Sequence, residues 1–198
     1  MSAGIYVHVP FCLTRCGYCD FNAYAGLDHL APTYVDALLA EADLHAADWS
    51  GECIDTIYLG GGTPTTLPVA DIARLLDRLR SSFTVAPDVE VTIEANPDTV
   101  DEAIFAGLLA AGVTRVSMGV QSFDPAVLAS LERVHGPAAA RRAVGAARAA
   151  GVTDLSLDLI YGAVGETDAS WAATIAETLT LAPDHVSAYA LTIEPGTA

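Results

Sequence analysis

Six short apolar, β-branched runs recur along the chain: IYVHV at 5–9, IDTIYLG at 54–60, VEVTIEA at 89–95, RVSMGV at 115–120, LSLDLIYG at 155–162 and HVSAYAL at 185–191. Segments of helical character lie between them, at 33–47, 69–82, 101–111, 125–134 with 138–150, and 170–181. Helix punctuation agrees with this division. Asp101 can cap the third helical segment, Gly112 follows it, and Gly151 closes AAARRAVGAARAA. Alternating strands and helices require parallel pairing, because each crossover returns the chain to the same end of the sheet. The expected fold is α/β, a partial (βα)6 barrel of the TIM type, with residues 1–198 forming one domain.

Composition narrows the partners. With 52% hydrophobic residues over 198 positions, the chain can bury one large core. The formal charge is −16 and all nine basic residues are arginine, so no lysine-rich stripe exists to neutralise a phosphate backbone; nucleic acid is not an expected partner. The longest apolar run, 103–113, falls far short of the ~20 residues a bilayer crossing requires, so no transmembrane segment is expected. No basic-then-apolar leader opens the sequence, and the cytoplasm is the expected compartment.

In a barrel of this kind chemistry gathers at the carboxyl ends of the strands. The polar residues obey that rule. Cys12, Cys16 and Cys19 follow the first strand; Gly60, Gly61, Gly62 and Thr63 follow the second; Glu94 and Asn96 end the third; Gln121 and Ser122 end the fourth; Asp158 lies in the fifth.

Three cysteines within HVPFCLTRCGYCDFN, residues 8–22, cannot pair off without a leftover thiol, and a cytoplasmic protein rarely keeps a disulfide. Structural zinc usually takes four protein ligands, and no second cysteine pair follows; a site completed by His8 or His29 stays open as an alternative. Three buried cysteines acting as small hydrophobes fit poorly beside Arg15, Gly17 and Asp20. A 4Fe-4S cube on three thiolates leaves one iron free for another ligand, which is a chemical reason for three cysteines and no fourth.

The spacing C-x3-C-x2-C, here Cys12-Leu-Thr-Arg-Cys16-Gly-Tyr-Cys19, resembles the signature of radical S-adenosylmethionine (SAM) proteins. The resemblance implies a 4Fe-4S cluster held by Cys12, Cys16 and Cys19, whose open iron binds the methionine moiety of SAM and whose electron breaks the sulfonium bond. YVHVPFC, GGGTPT, IEANPD, GVQSF and DLIYG together resemble the branch containing oxygen-independent coproporphyrinogen III oxidase and the HemW-type haem chaperones. The oxidase carries a further cysteine two positions after the third. This chain has Phe21 there, in the CDFN form that resembles the chaperones.

The same resemblance implies roles for further residues. Tyr6 matches a tyrosine at the methionyl end of SAM; Gly61, Gly62 and Thr63 lie in a turn whose missing side chains let backbone groups approach the ligand; Glu94 faces the ligand or pairs with an arginine. Gln121, Arg133 and Asp158 match positions at which the oxidase holds a second SAM. Arg133 has an ordinary alternative as a helix-surface charge, and Asp158 would need a partner if turned inward. Cys53 reads as a buried or incidental thiol. His8 either supports the cluster or packs in the core, and His29, His45, His135 and His185 have no metal-ligand spacing, so exposure or plain packing is expected of them.

The resemblance implies a haem chaperone that passes haem to acceptor apoproteins, with SAM and an electron donor for the cluster as further partners. Its alternative is the oxidase itself, which decarboxylates propionate side chains. The family's longer architecture adds a carboxyl-terminal domain with a haem-holding motif, which the sequence ending LTIEPGTA is expected to lack.

Overall fold

The computed structural model describes residues 2–195 and 197. Six strands form one sheet: β1 (Ser2–Val9), β4 (Cys53–Gly61), β5 (Val85–Ala95), β6 (Arg115–Gln121), β7 (Asp154–Tyr161) and β8 (His185–Ala190). They lie in the order β1-β4-β5-β6-β7-β8, every neighbouring pair parallel, so the sheet runs in sequence order and does not close on itself. Two further strands of two residues each, β2 (Phe11–Cys12) and β3 (Tyr24–Ala25), pair with one another in the loop after β1. The expected partial (βα)6 barrel is the fold observed.

Helices α1 (Ala31–His45), α2 (Val69–Ser82), α3 (Glu102–Ala110), α4 (Pro125–Ser130), α5 (Pro137–Ala150) and α6 (Asp168–Thr180) make the crossovers. In α2 the residues Ile72, Leu75, Leu76 and Leu79 are buried at the spacing of one helical face, while Asp77 and Arg78 face outward. The buried face of α5 is Ala140, Ala143, Val144 and Ala147, small enough for that helix to lie close to its neighbours. Asp101 accepts a hydrogen bond from Ile104 N at 2.8 Å as the cap of α3, and Gly151 closes α5 at φ +98°, a left-handed conformation that favours glycine.

The strands show why the sheet wraps a cavity. Leu155, Leu157 and Leu159 of β7 are fully buried against the helices, whereas Ser156 and Asp158 turn to the other face; Val91 and Ile93 alternate with Thr92 and Glu94 in the same manner. Parallel strands covered on both sides usually read as unbroken apolar runs. Polar residues on the concave face point to a ligand in place of a packed barrel core.

Two elements differ from the sequence expectation. Helix α4 ends at Ser130, four residues before the apolar pattern suggests, because Glu132 adopts a left-handed φ of +52° and redirects the chain. Arg133 is therefore not on a helix surface. In β6 the register with β7 slips between Gly119 and Gln121, and Gln121 itself stands at φ +67°. The slip is a bulge that re-aims the last side chain of the strand.

Candidate functional site

The cysteine loop is tied down at both ends. Tyr24 N donates to Pro10 O at 2.7 Å, and Cys19 N donates to Cys16 O at 3.1 Å. His8 Nε2 donates to Asn22 O at 2.8 Å, which leaves Nδ1 to accept from the Tyr6 hydroxyl at 3.0 Å. Both ring nitrogens of His8 are thus engaged inside the protein. His29 is exposed on a 3-10 turn, and among the described residues no three His, Cys, Asp or Glu side chains converge as a single metal ion would need. The zinc alternative has no geometry here. The four cysteines are free thiols; Cys12, Cys16 and Cys19 are half-buried, and Cys53, expected to be buried or incidental, is exposed.

The glycine turn packs directly on this loop. Gly62 N donates to Val9 O at 2.8 Å and Thr63 N to Phe11 O at 2.7 Å. A Cβ on Gly62 would lie 2.6 Å from Phe11 O and 3.0 Å from Cys12 Sγ, and one on Gly61 would meet the His8 ring at 2.6 Å. Gly61 also has φ +115°. These two positions need glycine for contact as well as for conformation.

Cys12, Cys16, Cys19, Gly61, Gly62 and Thr63 line a cavity of about 360 Å³ together with Glu94, Gln121, Arg133 and Asp158. That volume suits a small-molecule ligand. Glu94 is held by the Tyr58 hydroxyl on Oε1 at 2.8 Å and by Gly61 N on Oε2 at 3.0 Å. Burial raises its pKa against these two hydrogen bonds, and burial beside Glu94 pushes the Tyr58 phenol far above its ordinary value. Asp158 accepts from Ser117 Oγ at 2.8 and 3.0 Å and from Ser156 Oγ at 3.4 Å. Neither carboxylate forms an ion pair with an arginine among the described residues, so the alternative of a Glu94–arginine pair is not realised. Two buried-side carboxylates with hydroxyl and amide donors but no cation fit a ligand that brings positive charge.

Sulfur also has donors aimed at it. The Thr63 hydroxyl lies 3.7 Å from Cys12 Sγ, and Arg133 Nη1 lies 3.5 Å from Cys16 Sγ. Arg133 crosses from the loop after α4, and sequence spacing gave no sign of this contact with a residue 117 positions earlier. Burial pushes the Cys12 and Cys19 thiols up, the Thr63 hydrogen bond opposing it at Cys12.

Not every expected residue is brought in. Tyr6 stands at the sheet's edge on β1, more than half exposed, and borders a separate hollow with Tyr34 and Trp49. It reaches the cavity through Tyr58, whose ring lies 6.1 Å away in a stacked arrangement, and through His8, which abuts Gly61. Ser122, expected at the rim, is fully buried and shares a hydrogen bond with Thr174. Phe21 lines the cavity beside the cysteines with its ring largely exposed.

Across residues 6–177 the sequence matches the Radical SAM superfamily. The chain belongs to the radical SAM superfamily. Among relatives of this radical SAM chain, the haem chaperone HemW of Mycobacterium tuberculosis is 50% identical over 198 residues, covering 98% of this chain and 51% of the relative. HemW of Escherichia coli is 40% identical over 195 residues, with 98% and 51% covered. Among solved structures, the radical SAM enzyme coproporphyrinogen III oxidase (HemN) of Escherichia coli superposes with a TM-score of 0.90 at 35% identity, covering 97% of this chain and 44% of that one. The chain spans about half the length of the curated relatives it matches.

A radical SAM protein uses a 4Fe-4S cluster and SAM, and the side chains of this cavity fit both. Three free thiols open on it, two of them with a donor directed at sulfur, and two carboxylates without cation partners suit the ammonium and sulfonium charges of SAM.

Proposed function

We propose that this chain is the cluster- and SAM-binding core, one domain over residues 1–198, of a HemW-type haem chaperone that passes haem to acceptor apoproteins. The observation that carries the reading is Phe21. Two positions past Cys19, where the oxidase has a further cysteine, this chain presents an exposed apolar ring to the cavity.

Cys12, Cys16 and Cys19 hold the cluster. Glu94, fixed by Tyr58 and Gly61, receives the ligand's amino group, and the bare backbone of Gly61 and Gly62 seats the turn against His8 and the cysteine loop. Asp158, Gln121 and Arg133 add further polar groups to the same cavity, suited to a second SAM, and Tyr6 buttresses the first site through Tyr58 and His8. A cluster held by these three thiolates would supply single electrons for cleavage of a sulfonium bond. An electron donor for the cluster is the remaining partner, and the cytoplasm is the compartment. No helix is long and apolar enough to cross a membrane among the described residues.

The test uses the protein expressed from its own gene and reconstituted anaerobically with iron and sulfide. Haem titration should saturate, and the bound haem should pass to an apo-acceptor. Coproporphyrinogen III incubated with SAM and a reductant should be recovered unchanged. Release of carbon dioxide from the porphyrinogen would overturn the chaperone reading in favour of the oxidase.

A further inference from the structure

We propose that His135 is a positioning residue, which holds the Arg133 guanidinium in the cavity wall so that its Nη1 faces the sulfur of Cys16. The segment after α4 turns at Glu132 and then alternates: Arg133 points inward, Val134 is largely exposed, and His135 is almost fully buried. His135 Nε2 lies 3.0 Å from Val120 O. A carbonyl only accepts, so Nε2 carries the hydrogen and Nδ1 is left with its lone pair. That lone pair faces Arg133 Nη2 at 3.3 Å, and Nη2 also donates to Gly119 O at 3.0 Å.

Two acceptors on Nη2 fix the plane of a group that is rigid by resonance. Nη1 then has no freedom to turn away from Cys16 Sγ, 3.5 Å distant. Nε is buried with no hydrogen-bond partner, and the Tyr18 phenol is a further neighbour of the guanidinium. Burial and the neighbouring Arg133 charge lower the pKa of His135, which keeps the ring neutral and Nδ1 free to accept. The bulge that re-aims Gln121 presents Gly119 O and Val120 O side by side, one for each member of the pair. A histidine that merely filled space would have no need of Arg133.

The redox and SAM measurements rest on the cluster reading given above; the spectroscopic one does not. In the metal-free chain, long-range ¹⁵N correlation at neutral pH should show His135 as the Nε2–H tautomer, with an Nδ1 resonance that shifts in Arg133→Met. A protonated Nδ1, or an Nδ1 indifferent to that substitution, overturns the proposal. In the reconstituted chain, His135→Leu should weaken SAM binding about tenfold, the scale of one hydrogen bond to a charged group, and move the cluster's midpoint potential to more negative values. His135→Gln, whose amide both accepts and donates, should recover most of both losses. In an Arg133→Met background His135→Leu should add nothing. Additive effects would mean that His135 acts by packing alone, which overturns the proposal. Should wild type take up no iron, the cluster reading fails and the tautomer measurement still decides the role of His135.

Discussion

The Tyr58 hydroxyl donates to Glu94 Oε1 across adjacent strands at 2.8 Å, so the one carboxylate that also accepts from the glycine turn is aimed by a neighbour whose own ring stacks on Tyr6. Tyr58→Phe removes that donor without changing the ring. The expected cost is about 1–2 kcal/mol of stability and a weaker grip on SAM, because Glu94 keeps only Gly61 N. Urea unfolding of the metal-free chain and SAM titration of the reconstituted one check the two parts separately.

Glu94 gives a signed dependence on pH. Its folded pKa is raised by burial from an ordinary 4.5, so in the window above that value the folded chain holds a proton that the unfolded chain has released. Stability contributed by Glu94 therefore falls as pH rises through the window. Glu94→Gln should flatten this component, leave the metal-free protein no less stable at neutral pH, and abolish SAM binding. Because 25 acidic residues titrate together, the difference between wild-type and variant melting curves from about pH 4.5 to 7 is the readout. A difference that grows in favour of wild type with rising pH would show that Glu94 is stabilised as a carboxylate.

Gly62→Ala places a methyl group 2.6 Å from a backbone oxygen of the cysteine loop, where no flexible side chain can move aside. A loss of about 1–3 kcal/mol is expected, together with slower iron uptake. A melting temperature equal to wild type would mean that the loop and turn are less tightly apposed than the hydrogen bonds of Gly62 and Thr63 indicate.

Replacing Cys12, Cys16 or Cys19 singly by alanine should reduce iron from about four per reconstituted chain to near zero, whereas Cys53→Ala should leave the count unchanged. Cys53 is exposed at the start of β4, at the opposite end of that strand from the cavity. Iron and sulfide analysis with electron paramagnetic resonance decides this.

The sheet was legible because β-branched runs and capping residues are local signals: Asp101 and Gly151 act where the sequence placed them. What escaped is not local. The apolar Leu131 and Val134 extend the helical pattern of α4, yet a single left-handed residue at Glu132 ends it and turns Arg133 inward. No periodicity reports a backbone dihedral at a glutamate. For His135 the sequence suggested exposure or ordinary packing for the same reason, since its partners are a carbonyl on the bulge and the guanidinium of Arg133. Tyr6 shows the converse: its place in the motif suggested a direct role, and it borders the separate hollow with Tyr34 and Trp49.

The absent side chain of Gly62 has one more consequence. Backbone groups of the glycine turn bond those of Val9 and Phe11, and the turn's open side is the space that Cys12 Sγ occupies. The two motifs, 50 residues apart in sequence, are halves of one mould. Neither can be transplanted alone: grafted onto a barrel that carries any larger residue at the place of Gly62, HVPFCLTRCGYCDFN would arrive with its first cysteine displaced.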